Sequence, residues 1–286
     1  MLHDTPRSAI PRTVLAALHL PDRARAVLAA GGSHAPVWRV EADGRRYALR
    51  LRPSAEQDAI HREATAIAAA GSGGIPAPDV LRAEVVGEFA CLLTTWCPGE
   101  PLATALLEHR ADPLLLGRAC GRLQAELNAV AAPADLAARG PGWLLSTPQE
   151  AALLAGVRDM ESSRLLHLDF HPMNILTDGH AITGVVDWVN AAAGDPRQDL
   201  ARTLAILRLE LPAHVAASQD ASRAVQALAD AWVAGYEGRA GQLSSMSAFM
   251  AWAGLRTIRD LRAKRPPAVI LAMEAKVAAW IRDAAQ

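Results

Sequence analysis

The sequence predicts an α+β protein of two lobes, with a small β-rich lobe over residues 1–97 and a large, mainly helical lobe over residues 98–286. Short apolar runs separated by turn residues dominate the first hundred positions, which indicates strand hairpins. A segment rich in proline and glycine interrupts the chain at residues 98–101, and the composition changes after it. From Gln198 onward the sequence is rich in alanine, which favours helices.

Composition limits the classes of protein and partner. The 286 residues are 51% hydrophobic and 21% charged, which excludes a disordered or fibrous chain. The formal net charge is −1, so no basic excess indicates a nucleic-acid partner. Three cysteines without C-x-x-C spacing argue against a disulfide framework or a structural zinc. With no apolar signal segment and no stretch able to span a bilayer, we expect a cytoplasmic protein without a membrane partner.

The small lobe is predicted to combine helices with hairpins. Helical apolar spacing covers residues 12–30 and residues 54–70. The Asp43-Gly44 dipeptide supplies the positive φ angles of a tight hairpin turn between two of the strands. The predicted strands cover residues 37–41, 46–51, 80–86 and 89–95.

The large lobe is predicted to be helical around one hairpin. Helical spacing continues over residues 102–132. Two short segments at residues 165–176 and 181–188 flank an Asp-Gly dipeptide, which again indicates a hairpin. The helices after Gln198 are broken near residues 235–241 and at Pro266-Pro267. Three tryptophans on these helices are expected in the core: Trp232, Trp252 and Trp280.

Residues 167–176, HLDFHPMNIL, and the later Asp187 form the pattern with the clearest chemistry. Asp169 and Asn174 are five apart across a proline-bearing loop, and Asp187 lies 18 residues beyond Asp169. Phosphoryl transfer needs a carboxylate that accepts the proton of the attacking hydroxyl, and oxygen ligands that hold Mg²⁺ against the phosphates. We therefore predict Asp169 as the catalytic base and Asn174 and Asp187 as metal ligands.

This stretch resembles the H-x-D-x-x-x-x-N loop and the later metal-binding Asp that protein kinases share with the aminoglycoside phosphotransferase/choline kinase family. The His171-Pro172 dipeptide inside the loop and the Gly194-Asp195-Pro196 run after Asp187 are closer to the aminoglycoside phosphotransferases. The resemblance implies a bilobal protein-kinase-like fold that binds ATP and Mg²⁺ between its lobes. It also implies that His167 buttresses the loop and that Asp199 is a buried acceptor that holds it.

The resemblance extends upstream and implies a nucleotide site. Arg50 is expected to touch the phosphates from the third strand of the family's sheet, and Glu63 on the next helix to pair with it. Strand alternation independently places Ala48 and Arg50 on one face. The other residues implied to contact the nucleotide form a phosphate-covering turn, the adenine walls and a hinge: Ser33, His34, Ala48, Leu176, Val186, Thr95 and Trp96.

Three features depart from the usual pattern. Leu168 stands where the family usually has a glycine between the loop His and Asp. The G-x-G-x-x-G spacing of protein kinases is absent. Because no lysine precedes Lys264, only an arginine can reach the phosphates from the small lobe.

The distance after Asp187 bears on the acceptor. Only eight residues separate Asp187 from Asp195, which leaves no room for a peptide-docking platform. We therefore expect a small hydroxyl compound and no protein substrate. An aminoglycoside-like antibiotic would call for an acidic pocket, but residues 151–286 hold fourteen basic and fourteen acidic side chains. Sugar, choline-like and homoserine-like acceptors remain open.

Two other classes of function fit parts of the sequence. His167, Asp169 and His171 alternate, as the ligands of a zinc metallohydrolase can. No other His, Asp or Cys pair shows ligand spacing, and Pro172 breaks the strand at once. A nucleotide-binding module without catalysis is the second alternative, and retention of Asp169, Asn174 and Asp187 argues against it.

Overall fold

The small lobe is an antiparallel sheet with one helix on each face, in a computed structural model that describes residues 10–29, 36–137, 147–215 and 218–285. The helices are α1 (Arg12–Ala17) and α2 (Gln57–Ser72). The strands are β1 (Arg25–Leu28), β2 (Val37–Ala42), β3 (Arg45–Pro53), β4 (Val80–Val86) and β5 (Phe89–Thr95). They lie in the order β1-β2-β3-β5-β4, and the two predicted hairpins are confirmed.

The predicted helix over residues 12–30 is wrong, because only its first part is helical. Helix α1 ends at Ala17, and His19 adopts a positive φ of 57°. Pro21 then disfavours helical geometry in the residue before it. The chain continues as β1, which pairs antiparallel with β2 at the sheet edge. Val27 there is 56% exposed, so the apolar residues that suggested a helix face belong to an edge strand.

The β2–β3 hairpin sets the faces of the sheet. Asp43 and Gly44 take φ values of 51° and 74°, as the Asp-Gly turn predicts. Leu49 lies opposite Trp38 and is fully buried against the α1 side. Ala48 and Arg50 therefore lie on the other face, toward α2, as the alternation predicts.

The large lobe consists of helices around two small sheets. Its helices are α3 (Leu102–Leu107), α4 (Pro113–Leu127), α5 (Ala134–Ala137), α6 (Pro148–Leu154), α7 (Pro196–Ala205), α8 (Leu211–Val215), α9 (Gln219–Ala240), α10 (Met246–Leu261) and α11 (Pro267–Ala284). Its strands are β6 (Glu100–Pro101), β7 (Arg164–Leu166), β8 (Ile175–Thr177), β9 (Ile182–Val185) and β10 (Ala192–Gly194). A π-helix, Ile206–Glu210, joins α7 to α8. Within the described residues, none of the helices has the length and apolar character needed to cross a bilayer.

Several predicted boundaries in the large lobe are refined. The helical stretch over residues 102–132 is two helices, because His109 takes a positive φ of 56° and Asp112 caps α4. The Asp112 carboxylate accepts from the backbone N–H of Leu114 at 2.8 Å, and Pro113 occupies the first turn. The break at Pro266-Pro267 is confirmed between α10 and α11. Trp232 and Trp252 are fully buried, as predicted, and Trp280 packs against the same core.

Helices α4 and α9 approach closely at glycine positions. A Cβ atom added to Gly121 on α4 would overlap the backbone carbonyl oxygen of Trp232 on α9. We expect Gly121→Ala to lower the free energy of unfolding by about 1–3 kcal/mol, because the helices must separate. Gly238→Ala on α9 is the matched control, since its Cβ meets nothing within 4 Å and alanine favours the helix. Denaturant unfolding measures both; equal stabilisation by the two substitutions would contradict the close approach.

Candidate active site

The loop that carries the predicted catalytic residues lies between β7 and β8. Strand β7 pairs with β10, and β8 pairs with both β6 and β9. Two small sheets thus hold the two ends of the loop. The predicted hairpin between β8 and β9 is confirmed, and Asp178 caps its turn by accepting from the backbone N–H of His180 at 2.9 Å.

Asp199 on α7 anchors the loop from beneath. Its carboxylate is fully buried and accepts from the backbone N–H of Leu168 at 2.5 Å. It also accepts from the side-chain amides of Gln124 on α4 at 3.2 Å and of Asn128, which caps the end of α4, at 2.9 Å. Three donors thus satisfy the hydrogen-bonding capacity of this buried carboxylate. The structure therefore places Asp199 as the buried acceptor that the sequence predicts.

Leu168 adopts a left-handed backbone conformation, with a φ of 62°. This conformation costs a residue with a side chain about 1–2 kcal/mol, which explains why glycine is usual here. Leu168 tolerates it because its N–H bonds to Asp199 and its side chain is 4% exposed in the core. Leu168 thus occupies a backbone conformation that glycine would adopt without this cost.

His167 is a buried structural residue of the loop. Its Nε2 lies 3.2 Å from the carbonyl of Val186, and its Nδ1 accepts from the backbone N–H of Asp169 at 3.3 Å. The ring packs on Trp188, with the centroids 4.5 Å apart. Burial lowers the pKa of His167, which keeps the ring neutral with its proton on Nε2. Because both nitrogens are engaged, His167 cannot serve as the zinc ligand that a metallohydrolase would need.

Asp169 lies at the mouth of a cavity. Its Oδ1 is 3.3 Å from His171 Nε2, and its Oδ2 accepts from the side-chain amide of Asn174 at 3.2 Å. His171 Nδ1 accepts from the backbone N–H of Met173, so Nε2 carries the proton that faces Asp169. Burial raises the pKa of Asp169, but the hydrogen bond from His171 and the positive charge of Arg202 act in the opposite direction and outweigh it. The pKa stays well below its usual range, and the carboxylate is ionised.

Asn174 and Asp187 approach Asp169 from the two strands of the hairpin. The Asn174 amide nitrogen donates to the backbone carbonyl of Asp169 at 3.0 Å as well as to its carboxylate, so the amide oxygen is the atom left for a metal. Asp187 follows β9 in a left-handed conformation, with a φ of 66°. Its Oδ1 accepts from Arg50 Nη2 at 3.1 Å. The predicted base and metal ligands thus come together in one place.

Arg50 links the two lobes. Its Nε lies 3.5 Å from Glu63 Oε1 on α2, and its Nη2 contacts Asp187 in the large lobe. Arg50 and Glu63 are 8% and 4% exposed. The predicted Arg50–Glu63 pair is present, and the contact with Asp187 is one that the sequence did not indicate. Arg50 Nη1 is buried without an acceptor among the described residues, so an anionic oxygen in the cleft would satisfy it.

Glu63 makes the stability of the folded protein depend on pH. Burial raises its pKa from 4.5 to about 7, against the charge of Arg50. The folded state therefore binds a proton that the unfolded state releases above pH 4.5, and stability falls as pH rises from about 4.5 to 7. In Glu63→Gln we expect this fall to disappear. The free energy of unfolding of the wild type should therefore decrease by about 3 kcal/mol relative to that of the variant between pH 4.5 and 7.

Denaturant unfolding at several pH values measures this difference. Glu56→Gln, just before the same helix, is the control for loss of a carboxylate, because Glu56 is half exposed. Parallel pH profiles for the wild type and Glu63→Gln would contradict a buried, protonated Glu63.

Three of the residues predicted to contact adenine lie on or beside strands of the two lobes. Ala48 pairs with Thr94 in the sheet, and Leu176 pairs with Pro101 and Gly184. Val186 follows β9 and donates its backbone N–H to the carbonyl of Asn174 at 2.9 Å. Two further predicted residues, Ser33 and His34, lie outside the described residues.

The backbone N–H groups of the predicted hinge residues, Thr95 and Trp96, already donate to other parts of the protein. The backbone N–H of Thr95 donates to the carbonyl of Asp79 at 3.0 Å, and that of Trp96 donates to the carbonyl of Arg46 at 3.3 Å. Contacts from Thr95 and Trp96 to an adenine ring must therefore use their carbonyl oxygens or side chains.

A cavity of about 750 Å³ extends from Asp169, Asn174 and Asp187 into the large lobe. Its walls come from α3, α9, α10, the end of α7 and the π-helix. Sequence analysis identified none of these wall residues, because they are brought together from segments more than a hundred residues apart. The π-helix is a local feature that could have pointed to this site, because π-helical turns are rare overall but are often found at functional sites. The spacing of apolar residues in the sequence did not reveal it.

The chain was compared with known families and structures. Residues 25–241 match the family described as "Phosphotransferase enzyme family". No curated protein sequence matches the chain. Similar solved structures include a thermostable aminoglycoside phosphotransferase APH(4)-Ia with ADP and hygromycin B, at 19% identity and a TM-score of 0.60 over 90% of this chain and 93% of that one.

Two other solved structures have the same fold. An aminoglycoside-3'-phosphotransferase of type VIII is 23% identical, with a TM-score of 0.58 over 85% of this chain and 96% of that one. The spectinomycin phosphotransferase APH(9)-Ia, in complex with ADP and spectinomycin, is 10% identical, with a TM-score of 0.55 over 91% and 88%. These similarities confirm the predicted two-lobed, kinase-like α+β fold.

Proposed function

Because this chain belongs to the phosphotransferase enzyme family, we propose that it transfers the γ-phosphoryl group of ATP to a hydroxyl of a small molecule. The family confirms the predicted class of enzyme. One observation supports the proposed reaction most strongly: Asp169, Asn174 and Asp187 together line a cavity large enough for a small acceptor, and Arg50 contacts Asp187. The lobe of residues 1–97 would hold the nucleotide, and residues 98–286 would carry out catalysis and bind the acceptor.

The residues at the cleft fit a nucleotide with its metal. The buried Nη1 of Arg50 lacks an acceptor among the described residues, and a phosphate oxygen would supply one. Asn174 and Asp187 offer the oxygen ligands that Mg²⁺ prefers. Bound there, Mg²⁺ would neutralise charge on the phosphates. Glu63 holds Arg50 in position through its buried carboxyl group.

The adenine end of the site is assigned to the walls of the cleft. In this proposal Ala48, Leu176 and Val186 enclose the ring, while Thr95 and Trp96 form the hinge beside it. Ser33 and His34 are assigned to the turn that covers the phosphates.

Asp169 orients the acceptor hydroxyl and takes its proton. The hydroxyl oxygen forms a bond to the γ-phosphorus, and the bond from that phosphorus to the oxygen bridging the β-phosphorus breaks. ADP leaves, and the proton passes from Asp169 to solvent. The ionised state of Asp169 supports this role, because the carboxylate is ready to accept a hydrogen bond from the hydroxyl. Positioning and charge neutralisation supply most of the rate enhancement.

The acceptor is assigned to the class of small hydroxyl compounds. Aminoglycoside-like antibiotics and choline-like, homoserine-like or sugar metabolites are its candidate members. The similar structures hold hygromycin B and spectinomycin in their complexes, which supports an acceptor of small-molecule size. The finer choice depends on the charge of the cavity wall.

The proposal is tested by incubating the chain with ATP, Mg²⁺ and a library of hydroxyl compounds while the release of ADP is measured. A set of serine- and threonine-containing peptides is screened in parallel. We expect ADP release with at least one small alcohol above the rate with water alone, and none above that rate with peptides. Nucleotide binding without transfer to any alcohol would indicate a non-catalytic module, and transfer to peptides alone would overturn the assigned acceptor class.

A further inference from the structure

The charged side chains that line the cavity beside the proposed reaction centre are mostly basic. Apart from Asp169 and Asp187, the charged side chains among the described lining residues are four basic and two acidic, a net of +2. The basic residues are Arg202, Arg256, Lys264 and Arg265, and the acidic residues are Glu210 and Asp260. The whole large lobe shows no such excess, since its basic and acidic residues balance from residue 151 onward. The folded chain therefore concentrates positive charge at this place.

Arg202 is held rigidly at the centre of this region. Its guanidinium is nine-tenths buried and donates to Thr257 Oγ1 at 2.9 Å and to Asp260 Oδ2 at 3.3 Å. The same charge helps to lower the pKa of Asp169, so Arg202 lies within electrostatic range of the proposed reaction centre. A group bound beside Arg202 can thus belong to a molecule whose hydroxyl reaches Asp169.

Arg256 brings a second guanidinium into the same region. Burial and the charge of Arg202 lower its pKa to about 10. Its guanidinium lies 6.0 Å from the ring centre of Trp252, which fixes one side of it. Asp260 and Glu150 offset part of this positive charge, and an anion bound beside both guanidinium groups would be attracted by the two of them. Planar guanidinium groups also match the geometry of carboxylate and phosphate oxygens.

The rest of the cavity wall is apolar. Leucine and other apolar side chains from five segments line it, chiefly Leu106, Leu107, Met173, Leu211, Val225 and Leu261. On one side, Arg265 Nη2 contacts Glu210 Oε1 at 3.1 Å, and Glu210 belongs to the π-helix. An acceptor that fills this space needs an apolar body as well as a charged end.

We propose that the acceptor is an anionic hydroxyl compound, with its hydroxyl at Asp169, an apolar body along the aliphatic wall, and a carboxylate or phosphate group at Arg202 and Arg256. This inference rests on the proposed phosphotransferase function and narrows its acceptor class. A polycationic aminoglycoside would place ammonium groups against a wall of the same sign, which disfavours binding. The expected acidic pocket for such a compound is absent from the described part of the cavity wall.

The test uses a series of compounds that differ only at one end. For several chain lengths, the probes are an ω-hydroxy fatty acid, the matching ω-hydroxyalkyl phosphate, the neutral amide of the acid, and the ω-amino alcohol. We measure kcat/KM for ATP-dependent phosphorylation of each. We expect at least one anionic probe to exceed its amide by about tenfold or more, the effect of one charge-assisted hydrogen bond, and the amino alcohol to be poorest. Comparison of carboxylate with phosphate identifies which anion the site takes.

Arg256→Gln assigns the preference to this wall. It should reduce the ratio of anion to amide toward one, mainly through a higher KM for the anion. Arg262→Gln is the matched control, because Arg262 immediately follows α10 and its guanidinium contacts Glu274 at the surface. Thermal unfolding establishes that both variants are folded, and Arg256→Met, which keeps an unbranched side chain without the charge, replaces Arg256→Gln if the latter is not.

The outcomes separate this inference from the function on which it rests. Phosphorylation of the amide or the amino alcohol as efficient as that of the anions would overturn the anionic acceptor and leave the small-molecule kinase intact. An anion preference that survives in the folded Arg256 variant would also overturn it. Failure of every alcohol, in this series and in the wider library, would overturn the proposed function itself.

Discussion

Asp169→Asn is expected to lower the rate of phosphoryl transfer by about 10²–10⁴, the contribution of a positioned base. The carboxylate is ionised, lies at the mouth of the cavity and is held by His171 and Asn174. An amide of the same size keeps the shape but presents a donor where the hydroxyl needs an acceptor. Nucleotide affinity should change little, because the proposed phosphate and metal contacts come from Arg50, Asn174 and Asp187.

The rate of transfer is measured in single turnovers with the best acceptor from the library, and ATP affinity by calorimetry. Asp178→Asn makes the same chemical change at a turn residue of the neighbouring hairpin and is the matched control. Its transfer rate should equal that of the wild type. A rate for Asp169→Asn near that of the control would remove Asp169 from the reaction.

Asp187→Ala is expected to abolish the effect of Mg²⁺ on ATP binding. Asp187 supplies the carboxylate of the two proposed Mg²⁺ ligands, and the other ligand, Asn174, offers only one neutral oxygen. In the structure Asp187 also contacts Arg50, so the substitution leaves the carboxyl group of Glu63 as the remaining side-chain partner of the guanidinium among the described residues. ATP should therefore still bind through Arg50, but with the same affinity in the presence and absence of Mg²⁺.

Calorimetric titrations of ATP with and without Mg²⁺ make this comparison. Asp187→Asn keeps an oxygen ligand without the charge and should show a reduced effect of Mg²⁺, while Asp178→Ala should behave like the wild type. An undiminished increase in affinity on adding Mg²⁺ to Asp187→Ala would show that the metal is held elsewhere.

Local chemistry made parts of the fold predictable. The Asp43-Gly44 turn and the alternation around Arg50 are determined by backbone sterics within a few residues, and both appear as expected. The edge strand β1 was missed, because an edge strand buries little and its Val27 and Leu28 mimic a helical face among alanines. The break before α4 was missed although Asp112 followed by Pro113 is a local signal for the start of a helix.

Some contacts of the candidate site could likewise be predicted from the sequence, and others could not. Spacing within one loop was enough to predict that Asp169 and Asn174 meet, and the resemblance to known phosphotransferases predicted the Arg50–Glu63 pair. The contact of Arg50 with Asp187 joins positions 137 residues apart, and no local pattern encodes it. The cavity wall is less predictable still, because the charges of Arg202 and Arg256 come close to each other only when α7 and α10 pack together.

The central claim is that the cleft moves the γ-phosphoryl group of ATP to an alcohol with the help of Asp169. The most direct measurement uses ATP labelled at either the γ- or the α-phosphorus, one phosphorylated acceptor isolated by chromatography, and the wild type beside Asp169→Asn. The account predicts label in the acceptor from γ-labelled ATP only, dependent on Mg²⁺, and strongly reduced in the variant. Label from the α-position, or equal γ-label with the wild type and Asp169→Asn, would contradict it.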